Sequence, residues 1–208
     1  RVSNATVQQA LQKGRTIVDY SGHGDTRFWD APRVDQSNVR ALQNKDNLPF
    51  VISNACITAD FRFSESFAET WQRHPAGAIL FWGSMDSTYW DEDNILEKRM
   101  FDGIYREGLL TFSEITHFAL SELWRHYGGQ GLSKYYWETY LSFGDPSIQL
   151  RTTRTRAVAL QGVPTLPVGM NEVHYQVLDQ SNTPVAGARV ALSLRGSDYR
   201  PVALTDSM

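Results

Sequence analysis

Three short runs in the first half of this chain are apolar on both faces and end at a turn. Residues 16–20 (TIVDY) stop at Ser21-Gly22-His23-Gly24. Residues 50–53 (FVIS) follow Pro49 and lead into Asn54-Ala55-Cys56. Residues 77–82 (GAILFW) lie between Pro75 and Gly83. Runs of this length, bounded by turn residues, predict buried strands. Between and after them lie amphipathic stretches at residues 6–13, 64–73, 92–106, 113–127 and about 132–141. In the second of these, Phe67 and Trp71 fall four apart on one helical face, and Ser64 is the expected cap. Buried strands alternating with helices imply a mainly parallel sheet covered on both sides, an α/β three-layer domain. Ligands of such sheets sit beyond the carboxyl ends of the strands.

The pattern changes after about Leu150. From Arg154 onward no helical period remains. Residues 173–178 alternate, 181–187 are rich in turn formers, and 188–194 alternate again. The chain therefore divides into an α/β domain at residues 1–153 and part of a β-sandwich at 154–208. It begins at Arg1 and has no signal-peptide pattern, so the expectation is a fragment, truncated at the N-terminal side of the first domain.

Two of the three strands end in a reactive side chain, His23 and Cys56. If those strands are neighbours, an imidazole and a thiol meet at one edge of the sheet. A thiolate is the nucleophile, and the imidazole takes its proton and later returns it to a leaving amine. Glycines flank His23 and let a substrate chain come close. The backbone N–H groups of Gly24 and Cys56 are candidates for an oxyanion hole. Cys56 is the only cysteine, so no internal disulfide can form, and a lone buried thiol is otherwise ordinary core.

The longer strings resemble the gingipain family, a branch of the caspase-like cysteine peptidases. They are Tyr20-Ser21-Gly22-His23-Gly24, Asn54-Ala55-Cys56-Ile57-Thr58-Ala59-Asp60-Phe61, Ser87-Thr88-Tyr89-Trp90-Asp91-Glu92-Asp93 and Phe143-Gly144-Asp145-Pro146-Ser147. The resemblance implies a caspase-like fold for the first domain and an immunoglobulin-like fold for the β region that follows. It makes His23 the acid/base and Cys56 the nucleophile. Trp90 then lines the pocket for the residue before the cut, and Asp93 receives a basic side chain, as in lysine-specific members. An acid at a pocket base selects a cation through a partly desolvated ion pair. A solvated first helical turn is the alternative for Asp91-Glu92-Asp93. In the family, the acid that orients the histidine comes from well before the His-Gly motif. Only residues 1–22 precede His23, and Asp19, within the strand, is a poor substitute.

The implied activity is that of a secreted or bacterial cell-surface cysteine endopeptidase acting on polypeptides. Two alternatives stay open. One is a sortase-like transpeptidase of a bacterial secretion system, which uses the same thiol and imidazole. The other is a non-catalytic surface scaffold that has kept the fold. The chemistry needs no cofactor. Calcium, bound by the acids at 91–93, is the one structural ion to consider, although their spacing is not that of an EF-hand loop. No histidine pair has zinc-ligand spacing. His74, beside Pro75, is expected to bond free carbonyls at a helix end. Net charge is −3 with no run of Lys or Arg longer than two, which argues against nucleic acid as a partner. No apolar stretch approaches the length of a membrane span.

Overall fold

A computed structural model describes residues 2–45, 47–152, 156–163, 165–167, 169–193, 196, 198 and 200–206. The chain forms two compact units, Arg1–Thr152 and Thr153–Met208. The expected boundary at 153/154 and the last position of the 188–194 run, Leu194, lie outside the described residues.

The first unit contains α1 (Asn4–Gln12), β1 (Ile17–Ser21), β2 (Gly24–Asp25), β3 (Phe28–Trp29), β4 (Val34–Asp35), α2 (Gln36–Arg40), β5 (Phe50–Asn54), α3 (Phe67–Arg73), β6 (Leu80–Ser84), α4 (Trp90–Tyr105), α5 (Phe112–His126), α6 (Ser133–Thr139) and β7 (Tyr140–Phe143). Its main sheet has the order β1-β5-β6-β7. The pairs β1/β5 and β5/β6 are parallel, and β7 closes the sheet antiparallel to β6. The unit is thus α/β, with a mainly parallel sheet.

Alternation along the strands builds the layers. Phe50, Ile52, Leu80 and Trp82 point to one face, where they meet Leu96 and Met100 of α4, Ile115 and Leu123 of α5, and Tyr136 of α6. Val51 and Phe81 point to the other, against Leu11, Val39, Phe67 and Trp71 of α1, α2 and α3. Every residue of β5 and β6 is buried, which is why both runs read as apolar on both faces.

Three expectations are corrected. Ser64 is exposed, and the cap of α3 is Ser66, whose hydroxyl accepts from Glu69 N while the Glu69 carboxylate accepts from Ser66 N. That reciprocal pair satisfies two end donors, which Ser64 stands too early to do. The last predicted helix overshoots: α6 stops at Thr139, and the chain pairs with β6 from Tyr140 onward. His74 bonds a carbonyl, but it is Leu42 O at 2.9 Å, in a different segment. The structure also adds a small antiparallel sheet, β2-β3-β4, immediately after His23.

Among its described residues the second unit holds two antiparallel pairs. One joins β8 (Val158–Gln161) to β9 (Gln176–Asp179), and the other joins β10 (Arg189–Ala191) to β11 (Val202–Leu204). Among the described residues of this unit, Val177 and Leu178 are the buried ones. After β9, Asp179 Oδ1 accepts from Ser181 N and Thr183 N, closing a turn in which Asn182 takes a positive φ.

Candidate active site

The register of β1 on β5 positions the two reactive groups. Ser21 stands opposite Asn54, and the strands are parallel. His23 and Cys56 each lie two residues beyond that pair. Adjacent strands are ~4.8 Å apart, so both emerge side by side at the carboxyl edge of the sheet. Gly22 N bonds Asn54 O at 3.2 Å and extends the tie past the strand ends.

His23 is held by its backbone. Its carbonyl accepts from Tyr20 Oη at 2.8 Å and from Asp30 N at 2.9 Å. The imidazole is exposed and meets the Trp90 ring edge-on, with centroids 5.8 Å apart. Among the described residues, no acceptor takes a ring nitrogen of His23. Asp19 has another partner: Glu97 of α4. Partial desolvation, then the charge of Glu97 and a hydrogen bond to it, push the Asp19 carboxyl up to about 7. Ser21 Oγ donates to the same Glu97.

The bond from Asp30 N to His23 O makes 23/30 a hydrogen-bonded pair of the hairpin. By antiparallel alternation, 24/29 is a non-bonded pair, so the Gly24 N–H points out of the ladder. A methyl group at Gly24 would lie 2.8 Å from both Ala55 Cβ and Thr58 Cγ2, and 3.1 Å from Cys56 O. Glycine is required there by the close approach of the 55–58 turn.

Cys56 is half-buried. Thr88 N donates to its Sγ at 3.3 Å, and Thr88 Oγ1 lies 3.9 Å away. Among the described residues, no acceptor engages Cys56 N–H. The next residue, Ile57, has φ 48°, a left-handed conformation that is unfavourable for a β-branched side chain. Two bonds hold it, Ile57 N to Asp86 O at 3.0 Å and Ala59 N to Ser84 O at 2.9 Å. Nearby, Asp60 clamps Arg62 through both carboxylate oxygens at 2.7 Å, which holds the Asp60 carboxyl below the usual range.

Trp90 is 57% exposed and begins α4, whereas Asp93, one turn on, is 5% exposed. Asp93 Oδ1 accepts from Tyr140 Oη at 2.7 Å and from Tyr136 Oη at 3.1 Å. Tyr140 Oη also lies 3.4 Å from Asn54 Oδ1, and among the described residues Asn54 Nδ2 has no partner. Burial raises the Asp93 carboxyl above its ordinary value. Hydrogen bonds from Tyr140, Thr88 and Tyr136 pull it down, and the charge of Glu92 pushes it up. Thr88 therefore touches both the thiol and the acid.

His23, Gly24, Cys56, Trp90 and Asp93 thus come together at one edge. Sequence reasoning missed Thr88, Tyr136 and Tyr140. The signal of the two tyrosines is chemical: a buried acid requires donors, and buried tyrosine hydroxyls require acceptors. The acids 91–93 do not converge on a common point as a metal cage does. Among the described residues, no group of three or more His, Cys, Asp or Glu is placed to hold a metal.

Comparison with known proteins adds a relationship. The model of Peptidase family C25 matches residues 1–151. Gingipain R2 of Porphyromonas gingivalis is 29% identical over 172 residues, covering 73% of this chain and 22% of that protein. Lys-gingipain of the same species is 29% identical over 215 residues, covering 91% of this chain and 12% of that protein. The crystal structure of the Arg-specific cysteine proteinase gingipain R superposes with a TM-score of 0.78 at 22% identity, over 100% of this chain and 50% of that one. At that identity the superposition bears on fold alone. The chain spans half the length of that structure and a smaller share of the curated relatives.

Proposed function

The chain belongs to peptidase family C25, and from that premise we propose that it carries the nucleophile and acid/base of a cysteine endopeptidase that cuts after a basic residue. The observation that carries this reading is the register of β1 on β5, which brings His23 and Cys56 out at matched positions beyond Ser21 and Asn54.

In this mechanism His23 takes the proton of Cys56, and the thiolate attacks the scissile carbonyl carbon. The oxygen that gains charge is held by the N–H groups of Gly24 and Cys56. Collapse breaks the C–N bond, and His23 gives its proton to the departing amine. Water, deprotonated by the same imidazole, then attacks the thioester and frees the acid product and the thiol. The edge-on Trp90 limits the tilt of the His23 ring. The basic side chain of the substrate passes Trp90 and reaches Asp93, in a site where a buried carboxylate attracts a cation more strongly than in water. The proposal places the protein outside the cell, on the strength of the family resemblance and of a second unit read as part of an immunoglobulin-like sandwich.

The test compares full-length wild type with Cys56→Ala on matched fluorogenic peptides with Lys, Arg, Asp or Leu before the cut, with and without an added amine. Cleavage after Lys that Cys56→Ala abolishes supports the reading. Product joined to the amine in preference to water would replace hydrolysis by acyl transfer. A thiol that cuts nothing and ignores peptidyl chloromethyl ketones would refute both.

A further inference from the structure

Asp93 carries one oxygen that is already occupied. Both tyrosine hydroxyls fall on Oδ1, and a carboxylate oxygen offers about two lone-pair sites. Tyr136 Oη also accepts from Tyr89 N at 2.7 Å, so its own proton is free to be donated. Tyr136 Oη lies 3.1 Å from both Tyr89 O and Asp93 Oδ1, and the charged oxygen is the stronger acceptor of its proton. Tyr140 comes from β7 and Tyr136 from α6, and their rings stack with centroids 5.3 Å apart. Both are buried, so neither hydroxyl turns away to water. Oδ2 is the oxygen that neither tyrosine takes; Thr88 is the third donor to this carboxylate, and with Oδ1 full its bond falls to Oδ2, which keeps one open lone-pair site.

We infer that Tyr136 and Tyr140 set the choice between lysine and arginine by filling Oδ1 of Asp93, so that a substrate finds an open position on Oδ2 alone. This inference rests on the proposed role of Asp93. A guanidinium binds a carboxylate best as a fork, with two parallel N–H donors on two oxygens. With Oδ1 filled, that fork loses one tine and leaves a buried donor unmatched. An ammonium is a compact charge and is satisfied by one oxygen plus neighbouring acceptors. A site that leaves a buried polar group unpaired rejects the wrong ligand far more strongly than one that is merely the wrong size. The pair therefore acts as positioning residues for Asp93, with no contact to the reacting atoms.

The experiment uses full-length wild type, Tyr140→Phe and Tyr136→Phe on two peptides that differ only in Lys or Arg before the cut. Wild type is expected to prefer Lys. Tyr140→Phe is expected to narrow the Lys-over-Arg ratio of kcat/KM roughly tenfold, the worth of one charge-assisted hydrogen bond, and mainly through KM. Tyr136→Phe, whose hydroxyl is farther from Oδ1, narrows it less. It also supplies the answer if Tyr140→Phe does not fold.

A second readout separates positioning from mere packing. The groups facing Asp93 are Glu92 on its own helix, Thr88 from the preceding loop, Tyr136 and Tyr140, with Cys56 beyond Thr88. Loss of a tyrosine donor moves the acidic rise in KM for the Lys peptide to higher pH. A ratio that stays fixed while both peptides slow together, with no pH shift, overturns the inference and leaves the Asp93 pocket standing. Wild type that cuts after no basic residue overturns the pocket and the inference together.

Discussion

Replacing Gly24 by alanine adds one methyl group where there is no room for it. Carbon atoms in good contact stand about 3.5–4.0 Å apart. The new Cβ would lie 2.8 Å from Ala55 Cβ and from Thr58 Cγ2, and the carbonyl of Cys56 3.1 Å away blocks a third direction. All three neighbours belong to a turn pinned by Ile57 N and Ala59 N, so β2 must move instead. Overpacking of this kind costs about 1–3 kcal/mol, enough to lower the melting temperature by several degrees. The larger effect is on chemistry, because the moving segment carries the N–H group assigned to the oxyanion. A misplacement of about 1 Å in a catalytic site costs on the order of a hundredfold. Expected, then, is a fall in kcat of that order, alkylation of Cys56 within a fewfold of wild type, and unfolding a few degrees lower. Stopped-flow alkylation, peptide hydrolysis and thermal melts measure the three. If the melt drops while kcat holds, Gly24 N–H is not an oxyanion donor. If neither changes, the close approach of β2 to the 55–58 turn is wrong.

Asp19 makes stability depend on pH. Although part of the residue is exposed, its folded value of about 7 exceeds the ordinary carboxylate value, so the folded state holds the extra proton. Stability should therefore fall as pH rises from about 4 to 7. Asp19→Asn should flatten that slope in denaturant titrations, and an unchanged slope would reject the Asp19/Glu97 pairing. Asp93 should act on binding: KM for a Lys peptide stays level at high pH and rises as the pH falls through its raised value, above the usual ~4. Asp93→Asn should remove that rise together with the Lys preference. Ser66→Ala should cost about 1 kcal/mol through loss of the α3 cap, whereas Ser64→Ala should be silent; equal effects in urea melts would contradict the cap assignment.

The sequence makes the central strands legible because β5 and β6 are buried on both faces, and a strand in that setting has no choice but to be apolar throughout. Helices α4 and α5 are legible for the complementary reason: each has one wet face and keeps a clear period. The small sheet β2-β3-β4 is not, since strands of two residues are too short to show alternation. Its role is nonetheless central, because it fixes the His23 carbonyl and turns Gly24 N–H outward. The strand β7 is hidden by continuity: Tyr140 and Leu141 extend the apolar period of α6 with no Gly or Pro to mark the change.

That single error conceals the partners of Asp93. Read as helix, Tyr136 and Tyr140 are one turn apart on a packing stripe, and nothing marks their hydroxyls as more than tolerated polar tips. Only when the chain straightens after Thr139 to pair with β6 does Tyr140 Oη reach both Asp93 and Asn54. The motif around Cys56 and the acid on α4 are local strings and survive in the sequence. What the acid can accept is decided by a strand that reverses direction, which is a property of the sheet and not of any one segment.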